Sequence, residues 1–182
     1  MSRAEREHGR PSPSAGVDER SFRRVMGRFA TGVTVVTTVA EGEVFGMTAN
    51  AFMAVSLHPP LCAVSVGRAA NMHAHLAAAG FYGVSFLGED QQHLSNHFAG
   101  RRLVGLHPEF RYVCGAPVLA GALAVVVADL EDAWDCGDHT FFIGRTRFLE
   151  EREGRPLVFY GARYAALDRA HRIEETQPPA FW

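Results

Sequence analysis

At 182 residues the chain is long enough for one domain with a buried core, and its 47% hydrophobic and 21% charged content is that of an ordinary globular protein. The formal charge of −2 gives no global attraction to nucleic acid, and all 18 basic residues are arginine. Without a lysine, neither a Walker phosphate loop nor a Schiff-base lysine can be built.

Residues 1–17, with Pro11 and Pro13 among serines and no apolar h-region, read as a disordered tail rather than a signal peptide. No run of 18 apolar residues occurs. Cys62, Cys114 and Cys136 are odd in number and widely spaced, which argues against a disulfide framework. A cytoplasmic protein is expected.

Asp18 has the chemistry of a helix N-cap, and Phe22, Val25, Met26 and Phe29 follow at i, i+3, i+4, i+7, predicting an amphipathic helix stopped by Gly32. Val33–Val39 is a β-branched run, Glu41-Gly42 supplies turn chemistry, and the chain returns through Val44–Asn50, so a hairpin is expected. From Gly46 to Pro60 the pattern loosens. Small and hydroxylated residues (Thr48, Ala49, Asn50, Ser56) stand where a core strand would carry Val and Ile, leaving backbone N–H groups uncovered until Pro59-Pro60 fixes the exit. Such a segment suits a flat ligand that takes several backbone hydrogen bonds along one edge, and equally an ordinary bulged edge strand.

Leu61–Val66 reads as a strand, Asn71–Ala79 as a short helix closed by Gly80, Phe81–Leu87 as a strand and Glu89–Phe98 as a helix with acidic residues in its first turn. Gly100–Pro117 reads as loop. Leu119–Leu130 and Thr140–Leu149 read as two long strands joined by a polar turn around Asp135–Asp138, and Pro156–Tyr164 as a last strand. Residues 168–182 form a C-terminal tail, leaving 18–167 as the folded domain. Many strands with few short helices predict a mainly β fold, a barrel or sandwich, and the absence of Gly-x-Gly-x-x-Gly removes support for a Rossmann site.

His139 stands between an acidic turn and an apolar strand, where Asp138 is able to orient it or where it is simply solvated. His93 and His97 share a helix face at i, i+4, but Leu94 replaces a zinc protease's Glu and no third ligand is evident, so no metal is expected. His73 and His75 point in different directions on a helix. No Gly-x-Ser-x-Gly elbow is present, and the pairs Arg23-Arg24 and Arg101-Arg102 are isolated.

Five stretches in order, Phe29–Thr38, Gly46–Asn50, Val55–Pro60, Pro117–Gly121 and Gly137–Thr140, make the chain resemble the short-chain flavin reductase family, from about Phe22 to Tyr164. The resemblance implies a split β-barrel, Greek-key-like, with a few flanking helices, assembled as a homodimer. It implies hydride transfer from NADH or NADPH to FMN or FAD, with reduced flavin passed to a partner monooxygenase. Carried over residue by residue, Thr48, Ala49 and Asn50 line the isoalloxazine edge, Ser56 and Leu57 meet the ribityl and phosphate region, and Ser65 and Val66 form the strand opposite. Phe98 closes the groove, and His139 meets the nicotinamide.

One departure stands out. After Val66 the family carries hydroxyl residues for the flavin phosphate, whereas this chain has Gly67-Arg-Ala-Ala-Asn-Met-His73. Arg68, Asn71 and the N-terminus of the following helix are left for that role. Arg68, Arg101 and Arg102 are also available to a 2′-phosphate, without forming an unambiguous cluster. Two other readings remain: an oxidoreductase that keeps its flavin as a prosthetic group, and a flavin-binding protein without turnover.

Overall fold

The computed structural model describes residues 16–101 and 103–167. The expected C-terminal tail, Arg102 and all but the last two residues of the expected N-terminal tail lie outside the described residues.

The first elements are α1 (Glu19–Met26), β1 (Thr31–Gly32), β2 (Thr34–Ala40), β3 (Glu43–Ala49), β4 (Phe52–Leu57) and β5 (Pro60–Gly67). They are followed by α2 (Asn71–Ala79), β6 (Phe81–Phe86), a 3-10 turn at Glu89–Gln91 and α3 (Gln92–Phe98). The remainder is all strand: β7 (Phe110–Val113), β8 (Ala116–Leu119), β9 (Ala124–Cys136), β10 (His139–Glu151), β11 (Val158–Tyr160) and β12 (Arg163–Ala165).

Seven strands form one antiparallel sheet in the order β3-β2-β6-β9-β10-β5-β4. Its two edge strands, β3 and β4, are consecutive in the chain and separated only by Asn50 and Ala51. Laid flat, seven strands would put those edges about 29 Å apart. The link spans about 11 Å at most. The sheet therefore has to curl until its edges meet, which makes a barrel. β3 and β4 do not pair with each other, so the barrel is split along that seam. The mainly β, split-barrel expectation holds.

The barrel interior is filled by Val36, Val64, Val66, Tyr82, Val84 and Phe142, and α2 plugs it with Met72 and Leu76. β2 is buried on both faces: Val36 looks into this core, while Val33 and Val35 pack outside it with Leu87, Leu94, Leu119 and Leu157. Threonines on the buried β2 satisfy their hydroxyls on carbonyls, Thr34 at 2.7 Å from Ala49 O and Thr38 at 2.8 Å from Phe81 O.

Helix α2 occupies the predicted residues, and Gly80 closes it in the left-handed conformation with φ 72°. Elsewhere the structure corrects the sequence reading. α1 ends at Met26, not near Gly32: Gly27 caps it, and Gly27 O accepts the N–H of Gly161, so Thr31 and Gly32 are free to pair with β11. No residue of α1 is buried, and Phe22, Val25, Met26 and Phe29 are all more than half exposed.

The stretch read as loop up to Pro117 contains the β7–β8 hairpin. It turns on Cys114 and Gly115 at φ 48° and 83°, a two-residue turn whose usual Asn or Asp is replaced by cysteine and so leaves no sequence signal. Leu119 consequently closes β8, and the next strand begins only at Ala124. The segment after Asn50 is the bulged edge strand that the sequence also allowed: β4 is bulged between Ala54 and Ser56. The single last strand is two, β11 and β12, folded at Gly161-Ala162.

Candidate functional site

The seam where the barrel fails to close gathers most of the sequence-selected residues. Ser65 N–H donates to Ala51 O at 3.0 Å, which ties β5 to the chain just after Asn50. β3 pairs with β2 alone, so alternate peptide groups on its outer side have no partner in the sheet. Asn50 is exposed and Ser65 half-buried beside it.

Side chains divide between the two faces of the wall with period two. Ala49 is only 7% exposed and Val66 fully buried, both within the barrel core, so each offers the seam its backbone alone. The Ala49 carbonyl also accepts the Thr34 hydroxyl. Thr48 points the other way, toward α3, and donates to Ser95 O at 2.6 Å. Ser95 Oγ in turn contacts the Tyr164 hydroxyl at 2.8 Å. Phe98 lies on the same side: a β-carbon on Gly46 would fall 2.8 Å from its Cε1, so only glycine lets the ring settle against β3.

Ser56 and Leu57 are placed differently. They sit opposite Leu61 and Pro60, at the far end of β4. Since β4 runs antiparallel to β5, Ser56 is four residues, about 13 Å, from Ser65 along the strand. Within one protomer these two do not join the cluster at the seam.

His139 opens β10 and pairs with Gly67 of β5 and Cys136 of β9. Directly opposed residues share a face, so His139, Gly67, Phe141 and Ser65 all line the outer side of the wall next to the seam. Asp138 Oδ1 lies 2.8 Å from His139 Nδ1. This hydrogen bond holds the Asp138 carboxyl below its ordinary value. A carboxylate only accepts, so Nδ1 carries the proton and Nε2 is left facing the space above Gly67. The ring is half exposed.

The turn that carries this pair is fastened to the start of α2. Arg68 N–H donates to Asp138 O at 3.0 Å, and its guanidinium Nη2 donates to Gly137 O at 2.6 Å. Asn71, first residue of α2, is exposed, and the N-cap Ala70 has no side chain able to cap the helix. On the inner face Thr140 is buried and contacts both His73 and Asp135. Sequence reasoning missed that link, because it depends on where α2 lies across β10 and leaves no local pattern. The expected divergence of the two α2 histidines is observed: His73 meets β10, whereas His75 stacks on Phe45 of β3 at 3.6 Å. His93 lies 3.1 Å from Asp90 O, and among the described residues no group of three or more His, Cys, Asp or Glu is placed to hold a metal.

An edge strand with unpaired peptide groups, a half-buried hydroxyl, an open glycine position and an oriented imidazole thus form one continuous face. That donor set fits a flat, hydrogen-bonding ring lying across the seam, with a second ring reaching the imidazole.

The model of the flavin reductase like domain matches residues 26–168. An NADH-dependent flavin reductase of Rhodococcus sp is 42% identical over 156 residues, covering 84% of this chain and 89% of the relative. The reductase subunit HsaB of a flavin-dependent monooxygenase from Rhodococcus jostii is 36% identical over 170 residues, covering 91% and 84%. The solved structure of flavin reductase PheA2 in its native state superposes with a TM-score of 0.82 at 42% identity, covering 84% of this chain and all of that one. On the extent of the family match and the identity of these relatives, the chain belongs to the flavin reductase-like domain family.

Proposed function

We propose that this protein is an NADH-dependent flavin reductase that supplies reduced flavin to a separate monooxygenase. The observation that carries the reading is His139, oriented by Asp138 and set over Gly67 on the face that Ser65 shares. Relatives named as an NADH-dependent flavin reductase and as a monooxygenase reductase subunit supply the substrate and the partner class.

In this reading the backbone of Thr48, Ala49 and Asn50 and the hydroxyl of Ser65 hold the edge of the isoalloxazine ring. Arg68, Asn71 and the uncapped first turn of α2 take the phosphate end, in place of the hydroxyls that Ala69 and Ala70 lack. The flavin, FMN or FAD, supplies the redox chemistry when bound. His139 Nε2 orients the nicotinamide, and because hydride transfer depends on proximity and alignment, the histidine has no proton to move. Phe98 borders the groove from α3.

A homodimer belongs to the same proposal. Met53, Val55 and Leu57 of the edge strand β4 are each 44% or more exposed, and their burial against a second copy would remove apolar surface from water. Ser56 and Leu57, remote from the seam within one chain, would then lie at the subunit boundary. Among the described residues no helix is long and apolar enough to cross a membrane. We place the protein in the cytoplasm, where NADH is available.

The test is oxidation of NADH and of NADPH with added FMN, added FAD or no flavin. The reading expects turnover with NADH that requires added flavin and saturates in it. Flavin-independent oxidation by a protein that purifies yellow would establish a retained prosthetic group instead. No oxidation in any combination would leave a flavin carrier.

A further inference from the structure

The hydrogen bonds beneath the β9–β10 turn fix more than the fold. Thr140 Oγ1 lies 2.6 Å from Asp135 Oδ1 and 2.8 Å from His73 Nε2. A hydroxyl has one proton, and a carboxylate accepts without donating. Thr140 therefore donates to Asp135, and the 2.8 Å contact requires His73 Nε2–H as donor. The His73 ring also packs edge-on against Phe142, centroids 5.2 Å apart and planes at 71°.

Thr140 follows His139 directly on β10, so their side chains project to opposite faces. Thr140, 3% exposed, is anchored inward; His139 is thereby aimed outward. We propose that His73 is a positioning residue for hydride transfer: it acts through Thr140 to hold the root of the β9–β10 turn, so that His139 meets the nicotinamide in register. The inference rests on the reading of His139 given above. His73 touches neither ring of the reacting pair. It works from inside the barrel, while Arg68 pins the tip of the same turn through the Gly137 and Asp138 carbonyls. Arg68 precedes α2 and His73 lies in its first turn, so the tip and the root of the β9–β10 turn are both tied to the start of one helix.

A purely structural histidine would be replaced equally well, or equally badly, by any side chain of its volume. A positioning donor would not. The full-length protein is compared with His73→Phe, which keeps a ring without the N–H, with His73→Gln, which returns an amide N–H near the position of Nε2, and with His139→Ala. Expected for His73→Phe is about a tenfold loss in kcat/KM for NADH, since small misplacements of reacting groups are costly. Flavin affinity should stay within about twofold, a range too small to signal a lost contact. His73→Gln restores most of the loss. In flavin-free protein carrying 15N-histidine, the His139 Nδ1–H signal loses exchange protection in His73→Phe and keeps it in His73→Gln.

Wild-type kinetics and an unchanged His139 signal in His73→Phe, with His139→Ala impaired, overturn this inference alone. Equal losses of NADH use, flavin affinity and thermal stability in both His73 variants overturn it in favour of core packing. A His139→Ala variant with wild-type NADH kinetics removes the underlying reading and this inference with it.

Discussion

His139 and Gly67 face each other directly across β10 and β5, and the imidazole Nε2 lies 3.7 Å from where a β-carbon on Gly67 would stand. That is an ordinary contact distance, so a methyl group fits, and a longer side chain would extend into the space beside the imidazole. Gly67→Ala should leave NADH kinetics near wild type. Gly67→Leu should raise the KM for NADH several-fold while the fold persists, because the added atoms occupy the space over which the imidazole works. Steady-state kinetics beside a thermal melt separates the two outcomes.

The Asp138–His139 hydrogen bond has a pH signature. Asp138 has its pKa lowered in the fold, chiefly by that bond. Its contribution to stability is therefore present above the ordinary aspartate pKa and disappears as pH falls through the lower, folded value. Carboxyl NMR should find Asp138 titrating below the ordinary range, and His139→Ala should move it back up. An unshifted Asp138 in the wild type would contradict the contact.

The three thiols differ in environment. Cys114 and Cys136 are exposed, whereas Cys62 is buried, its thiol pushed up by burial and placed 3.5 Å from the Tyr82 hydroxyl. A thiol reagent at neutral pH should titrate two groups in the native protein and a third only on unfolding. Cys136 pairs with His139 across the turn, so its modification by a bulky reagent should lower turnover with NADH, and bound NADH should slow the modification.

Gly46 marks where α3 meets the sheet. A β-carbon there would stand 2.8 Å from Phe98 Cε1 and 3.2 Å from Thr37 Cγ2, the latter on a fully buried residue that has little room to yield. Gly46→Ala should cost about 1–3 kcal/mol by overpacking. It should also weaken flavin binding by displacing Phe98 from β3. Denaturant melts and a flavin titration check the two effects separately.

Local features of the fold were legible in the sequence where chemistry and neighbours agree. α2 shows its whole span because its first residue and its closing glycine bracket an alanine-rich run. The β2–β3 hairpin shows because Glu41-Gly42 supplies the turn, both at positive φ. Asp138 and His139 are adjacent in the chain, so their pairing could be anticipated. Closure of the barrel at Asn50-Ala51 could not, since it follows from the order of all seven strands. The same holds for the pairing of Gly67 with His139 and for the His73–Thr140 contact, which join residues 67 or more apart across different elements. The apolar stripe of α1 misled in another way: its period predicted burial, and within the single chain none of it is buried.

The most direct measurement is a comparison of wild type and His139→Ala in two titrations, NADH in steady-state turnover and flavin by binding. An oriented imidazole that positions the nicotinamide predicts a raised KM for NADH with flavin affinity unchanged. A variant whose KM and kcat for NADH both match the wild type would show that His139 does not meet the nicotinamide, and the account of this face would fail.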